Sequence, residues 1–82
     1  MKNASITIFT NAGFDKEFTS KVTEDFQPTK DLEKTFKKAA KLLKKFDGHI
    51  QVDADEWYQE YILEDGQVKL DEVWGLDFDL TK

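Results

Sequence analysis

Hydrophobic and polar residues switch between two periods along this chain, and the switches mark its elements. Ala4-Ser5-Ile6-Thr7-Ile8-Phe9-Thr10 is β-branched with partial alternation and predicts a strand. Asn11-Ala12-Gly13 supplies turn chemistry. Phe14, Phe18, Val22 and Phe26 then recur at intervals of four, which suits either a helix face or every second inward position of a strand. Thr19, Thr23 and the preceding turn favour the strand, giving an N-terminal hairpin. The period changes at Pro28. Leu32, Phe36, Ala39, Ala40, Leu43 and Phe46 form an apolar stripe at helical spacing. Thr29 is placed to cap the helix, and Asp31 and Glu33 suit the positive end of its dipole. Lys41, Lys44 and Lys45 crowd its last turn, where Gly48 is expected as the closing glycine. The pattern predicts a helix over residues 30–46.

Short periods return afterwards. His49-Ile50-Gln51-Val52 opens a strand, and two longer runs, 57–64 and 67–74, flank Asp65-Gly66. An Asp-Gly pair between aromatic and β-branched runs signals a type I′ hairpin. Gly75 is expected as a bulge or bend, after which Leu76, Phe78 and Leu80 alternate with Asp77 and Asp79 as a final extended strand. The sum is an α+β class fold in one domain, residues 1–82, with one helix packed on a mainly antiparallel sheet in the order ββαβββ. Its first elements resemble the ββαββ layout of β-grasp domains, as in ubiquitin-like and bacterial immunoglobulin-binding domains. The added C-terminal strand departs from that layout, and no binding residue of those families can be placed here.

A two-residue loop at Asp65-Gly66 predicts a register. Glu64 then faces Gln67, Tyr61 faces Leu70, Trp57 faces Trp74, and Glu60 faces Asp71. One side carries Trp57, Tyr61, Leu63, Val68, Leu70, Trp74, Leu76, Phe78 and Leu80, for the helix to cover. Gln59 and Glu72 interrupt that side and are expected at a margin. The other side carries Tyr58, Glu60, Ile62, Glu64, Lys69, Asp71, Val73, Asp77 and Asp79. A like-charge pair directly across two strands weakens a sheet, so folding stability gives no reason for Glu60 against Asp71. Tyr58, Ile62 and Val73 ringed by Glu60, Glu64, Asp71, Asp77 and Asp79 is the layout of an interaction patch. The plainer reading is a solvated surface whose acids keep the protein soluble and block edge pairing.

Composition narrows the chemistry. Net charge is −5 over 82 residues, but residues 1–46 hold ten lysines against six acids and residues 47–82 hold two against eleven. Arginine, the residue that grips phosphate bidentately, is absent. The lysine-rich helix face reads as an ordinary amphipathic surface, and direct nucleic-acid binding is not expected. With no cysteine there is neither a disulfide framework nor a thiolate metal site. Asp53-Ala54-Asp55-Glu56 and Asp77-Phe78-Asp79 hold carboxylates, but Trp57 and Tyr58 stand where a calcium-binding loop needs an oxygen ligand and a glycine. His49 is the only histidine, and Ser5 and Ser20 have no recognisable base, so neither an enzyme nor a cofactor is expected. No apolar run is long enough to span a membrane, and a cytoplasmic location is the expectation.

The expected function is therefore a small acidic non-enzymatic binding protein that engages a basic protein surface through Tyr58, Glu60, Ile62, Glu64, Asp71, Val73, Asp77 and Asp79. In its sharper form the partner is a nucleic-acid-binding protein and the carboxylates mimic a phosphate backbone. In size, charge and compactness the chain resembles small acidic inhibitors of phages and mobile elements, including anti-CRISPR and antirestriction proteins. The alternative is an adaptor or homodimerising β-grasp-like module whose acidic surface only solubilises it.

Overall fold

In β1 (Lys2–Thr10), Ala4, Ile6 and Ile8 are buried and the residues between them are not. That alternation lets one face of a strand meet a core while the other stays wet. The computed structural model describes residues 1–82. It continues with β2 (Lys16–Val22), α1 (Lys30–Phe46), β3 (Gly48–Ala54), β4 (Trp57–Glu64) and β5 (Gln67–Trp74). The strands form one open sheet in the order β2-β1-β3-β4-β5, antiparallel at every contact. This is the expected α+β architecture, and its likeness to β-grasp domains is one of element order. β2 and β3 both run against β1, so they run the same way, and the chain must return the length of the sheet between them. The 17 residues of α1 do this, spanning about 25 Å at ~1.5 Å per residue.

The ends of α1 are set by local chemistry. The Thr29 side chain accepts the Leu32 N–H at 3.1 Å, satisfying one of the first-turn donors. Asp31 binds the helix to the sheet: its carboxylate accepts the Ser20 hydroxyl at 2.7 Å and the Lys21 N–H at 2.8 Å. Those two hydrogen bonds hold its pKa below the ordinary carboxylate value. At the other end Asp47, with φ of 60°, takes the chain out of the helix and donates its N–H to the Leu43 carbonyl at 2.7 Å. Gly48 follows that cap in the expected C′ position, at φ of 138°, and is also the first residue of β3. It must be glycine because a Cβ there would run into the Phe9 carbonyl and lie 2.8 Å from Thr10 Cα.

Leu32, Phe36, Ala39 and Leu43 of α1 meet Ile6, Ile8, Ile50, Val52 and Tyr61 of the sheet. Each such aliphatic side chain, when fully buried, contributes roughly 1.5–3 kcal/mol. α1 packs on β1, β2 and β3, and along β5. Over the β4 end the cover is the chain's C-terminal segment, which corrects the expected last strand. Gly75, at φ of 86°, bends the chain back across the helix side, and no strand follows Trp74. A Cβ on Gly75 would lie 2.8 and 2.9 Å from Trp57 Cα and Cβ.

The Phe78 ring then meets Trp57 edge-on at 5.2 Å, and Leu80 is buried. Alternation in this segment comes from packing down onto the core, not from strand pairing. Gln59, expected at a margin, is fully buried beneath it. Its side-chain amide donates to the Phe78 carbonyl. The Tyr61 hydroxyl donates to Gln59 Oε1 at 2.7 Å and accepts the Leu80 N–H at 3.0 Å. Burial pushes the Tyr61 phenol well above its ordinary value, so it stays protonated and able to donate. No helix of the fold is long and apolar enough to cross a membrane.

Candidate functional site

The β4–β5 hairpin begins as its turn residues require. Asp65 and Gly66 both have positive φ, 53° and 76°, the signature of a type I′ turn. Glu64 pairs with Gln67, Leu63 with Val68, Ile62 with Lys69 and Tyr61 with Leu70. The register then slips by one. Glu60 faces Glu72, Gln59 faces Val73 and Tyr58 faces Trp74, leaving Asp71 as the extra residue of a β-bulge.

This slip revises the predicted face. Beyond a bulge the in–out alternation inverts. Trp74, expected in the core opposite Trp57, lies on the outer face opposite Tyr58 and is 61% exposed. Glu72, expected at the inner margin, replaces Asp71 opposite Glu60. Val73, expected in the outer patch, takes the Gln59 side of the sheet. Asp77 is exposed beyond the last strand. Asp79 is half-buried in the C-terminal segment, accepting the Thr81 N–H at 2.9 Å and the Thr81 hydroxyl at 2.6 Å. Tyr58, Glu60, Ile62 and Glu64 keep their predicted places. Asp71, Val73, Asp77 and Asp79 do not join them.

The pairings give rows across the outer surface. One runs Ser5, Asp53, Tyr58, Trp74; the next Thr7, Gln51, Glu60, Glu72; the third Phe9, His49, Ile62, Lys69. Tyr58 and Trp74 stack at 6.2 Å between ring centroids, 27° from coplanar. The Tyr58 hydroxyl donates to Glu60 Oε2 at 3.1 Å. Glu60 and Glu72 oppose each other, so their Cβ atoms lie roughly 4.5–5.5 Å apart. The Tyr58 phenol is pushed up to about 12, first by partial burial and then by Glu60, with Glu72 and Asp53 adding to it.

Basic side chains near this centre are few. His49 Nε2 lies 4.0 Å from Glu60 Oε1, with its ring stacked on Phe9 at 4.9 Å. Lys69 reaches Glu64 at 3.5 Å, an exposed pair that contributes little to stability. No three His, Asp or Glu side chains are grouped so as to hold a metal ion.

The residues missed from sequence are Asp53, Glu72 and Trp74. The signal for the last two is in the chain. A straight register puts two polar side chains, Gln59 and Glu72, at inward positions, and the apolar spacing stretches from two at Val68 and Leu70 to three at Val73. One bulge resolves both. Compared with protein-family models, curated proteins and solved structures, the chain matches none.

Proposed function

We propose that this chain is a non-enzymatic binding protein whose outer sheet face engages a basic surface on a protein partner. The observation that carries this reading is Trp74, stacked on Tyr58 in the open and flanked by Asp53, Glu60 and Glu72. A flat aromatic pair supplies anchor area at low entropic cost, and tryptophan and tyrosine dominate the energetics of interfaces. The surrounding carboxylates select a cationic partner and speed its approach. Neither feature serves the fold: the Glu60–Glu72 pairing repels across the strands, and Trp74 leaves most of its surface in water. Ile62 extends the apolar centre, and Glu64 contributes negative potential at its edge. In its sharper form the partner's basic surface is one that otherwise receives nucleic acid, and the protein inhibits by charge mimicry, as small acidic proteins of phages and mobile elements do.

The test is affinity capture from cells with the wild-type protein and with the triple variant E60Q/E72Q/W74A side by side. These side chains lie on the outer face and leave the core untouched, so circular dichroism should be unchanged. The expected result is a basic protein retained by the wild type, released by salt and missing from the variant. Retention of the same proteins by both would overturn the proposal.

A further inference from the structure

The one cavity of the molecule lies on the other side of the sheet from Trp74, and its charge is opposite to that of the chain. It is a groove of about 670 Å³ between α1, the edge of β5 and the C-terminal segment. Its floor is apolar, made by Phe36 and Ala40 of α1, Val68 and Leu70 of β5, and Leu80. Lys37, Lys44, Lys69 and Lys82 stand around it, with Asp79 as the single acidic side chain. Asp79 is already engaged by the Thr81 N–H and hydroxyl. Lys69 is shared with Glu64, while Lys37, Lys44 and Lys82 form no ion pair. A protein of net charge −5 therefore gathers three uncommitted cations around its one apolar groove.

The wall that β5 contributes decides what shape of ligand fits. Gln67, Val68, Lys69 and Leu70 line the groove consecutively. Side chains of one strand face alternate between the two sides, so four in a row means that the strand's edge, with its backbone, borders the space. β5 is the last strand of the sheet, and its far edge pairs with nothing. Its alternate N–H and C=O groups are available to a new strand. The bulge at Asp71 interrupts that edge just beyond the groove, so pairing is confined to residues 67–70.

We infer that the groove between α1 and the free edge of β5 takes a short acidic peptide in extended form, which adds to residues 67–70 as a sixth strand. Main-chain hydrogen bonds to β5 hold it, its apolar residues rest on Val68, Leu70 and Phe36, and its carboxylates meet Lys37, Lys44 and Lys82. An acyl chain with an anionic head suits the site less well. Small-molecule sites enclose most of their ligand in apolar walls, whereas here one wall is polar backbone and the rim is lysine. The groove meets the outer face only along the β5 edge at Gln67 and Lys69 and does not include Tyr58, Glu60, Glu72 or Trp74, so this inference stands whether or not the outer face binds a basic partner.

The test uses the full chain, labelled for NMR, and a short capped peptide whose inward-facing alternate positions are glutamate and valine in turn, with threonine between them. The expected result is shifted and exchange-protected amides at residues 67–70, with the signals of Tyr58 and Trp74 unmoved. Lys37 and Lys44 are exposed, so the variant K37Q/K44Q should keep the wild-type spectrum while its affinity falls about five- to tenfold, as loss of two exposed ion pairs implies. Methylating alternate amides of the peptide should abolish binding, because a methylated amide cannot pair with β5. Equal binding by the methylated peptide, equal binding by the peptide with lysine in place of each glutamate, or no response of residues 67–70 would overturn the inference. So would sodium laurate occupying the groove while the peptide does not.

Discussion

Tyr58 reports the electrostatics of the outer face from a single group. Its phenol is pushed from 10.0 up to about 12, by partial burial first and by Glu60, Glu72 and Asp53 after it. A phenol that ionises later in the folded state binds its proton more tightly there than in the unfolded chain. The resulting stability is fully present below pH 10 and is lost as pH rises through about 12. Tyrosinate absorbance followed against pH should therefore show Tyr58 titrating near 12 in the wild type and nearer its ordinary value in E60Q/E72Q. An unmoved titration would mean that the carboxylates do not act on Tyr58. Removing the Glu60–Glu72 repulsion should at the same time leave the variant at least as stable. At this scale the sequence was informative where it conflicted with itself. Gln59 and Glu72 fall at inward positions of a straight hairpin, and the two conflicts have different resolutions. Glu72 turns outward at the bulge, whereas Gln59 stays inside because Phe78 and Tyr61 give its amide partners.

Elements were legible to the extent that their signals are local. The helix over 30–46 is marked by its own cap, dipole charges and apolar stripe, and the hairpin turn by Asp65-Gly66, none of which needs distant contacts. The bulge at Asp71 and the course of residues 75–82 depend on what lies across the sheet. Leu76, Phe78 and Leu80 alternate with Asp77 and Asp79 whether they pair with a strand or pack onto a core, so period alone reads both as β. What separates them is the polar network beneath, where one phenol joins the end of the chain to the sheet. Tyr61→Phe would leave the Leu80 N–H and Gln59 Oε1 without that partner, at a cost of about 1–3 kcal/mol. Denaturant unfolding should show this loss, and hydrogen exchange should place it at the Leu80 amide. Wild-type stability in Tyr61→Phe would mean that the segment is held by apolar packing alone.

For the whole molecule, the fold turns a charge gradient along the chain into two charged layers. The lysines of α1 are exposed on one side of the sheet, while Asp53, Glu60 and Glu72 belong to the other. The imbalance between residues 1–46 and 47–82 was visible in composition, but its partition between opposite surfaces follows from the helix crossing one face of the sheet. Trp74 enters the acidic layer only through the bulge, and so the patch has an aromatic centre that a straight register would have buried. The proposed binding then has two separable parts, an aromatic anchor insensitive to salt and a carboxylate field screened within ~8–10 Å at ordinary ionic strength. The most direct measurement is the affinity for the captured basic partner as a function of salt concentration, for wild type, E60Q/E72Q and W74A. The wild type should weaken steeply with salt, E60Q/E72Q should be weaker with a shallower slope, and W74A should be weaker at every salt concentration with the slope unchanged. The same affinity and slope in all three would place the binding surface elsewhere on the molecule.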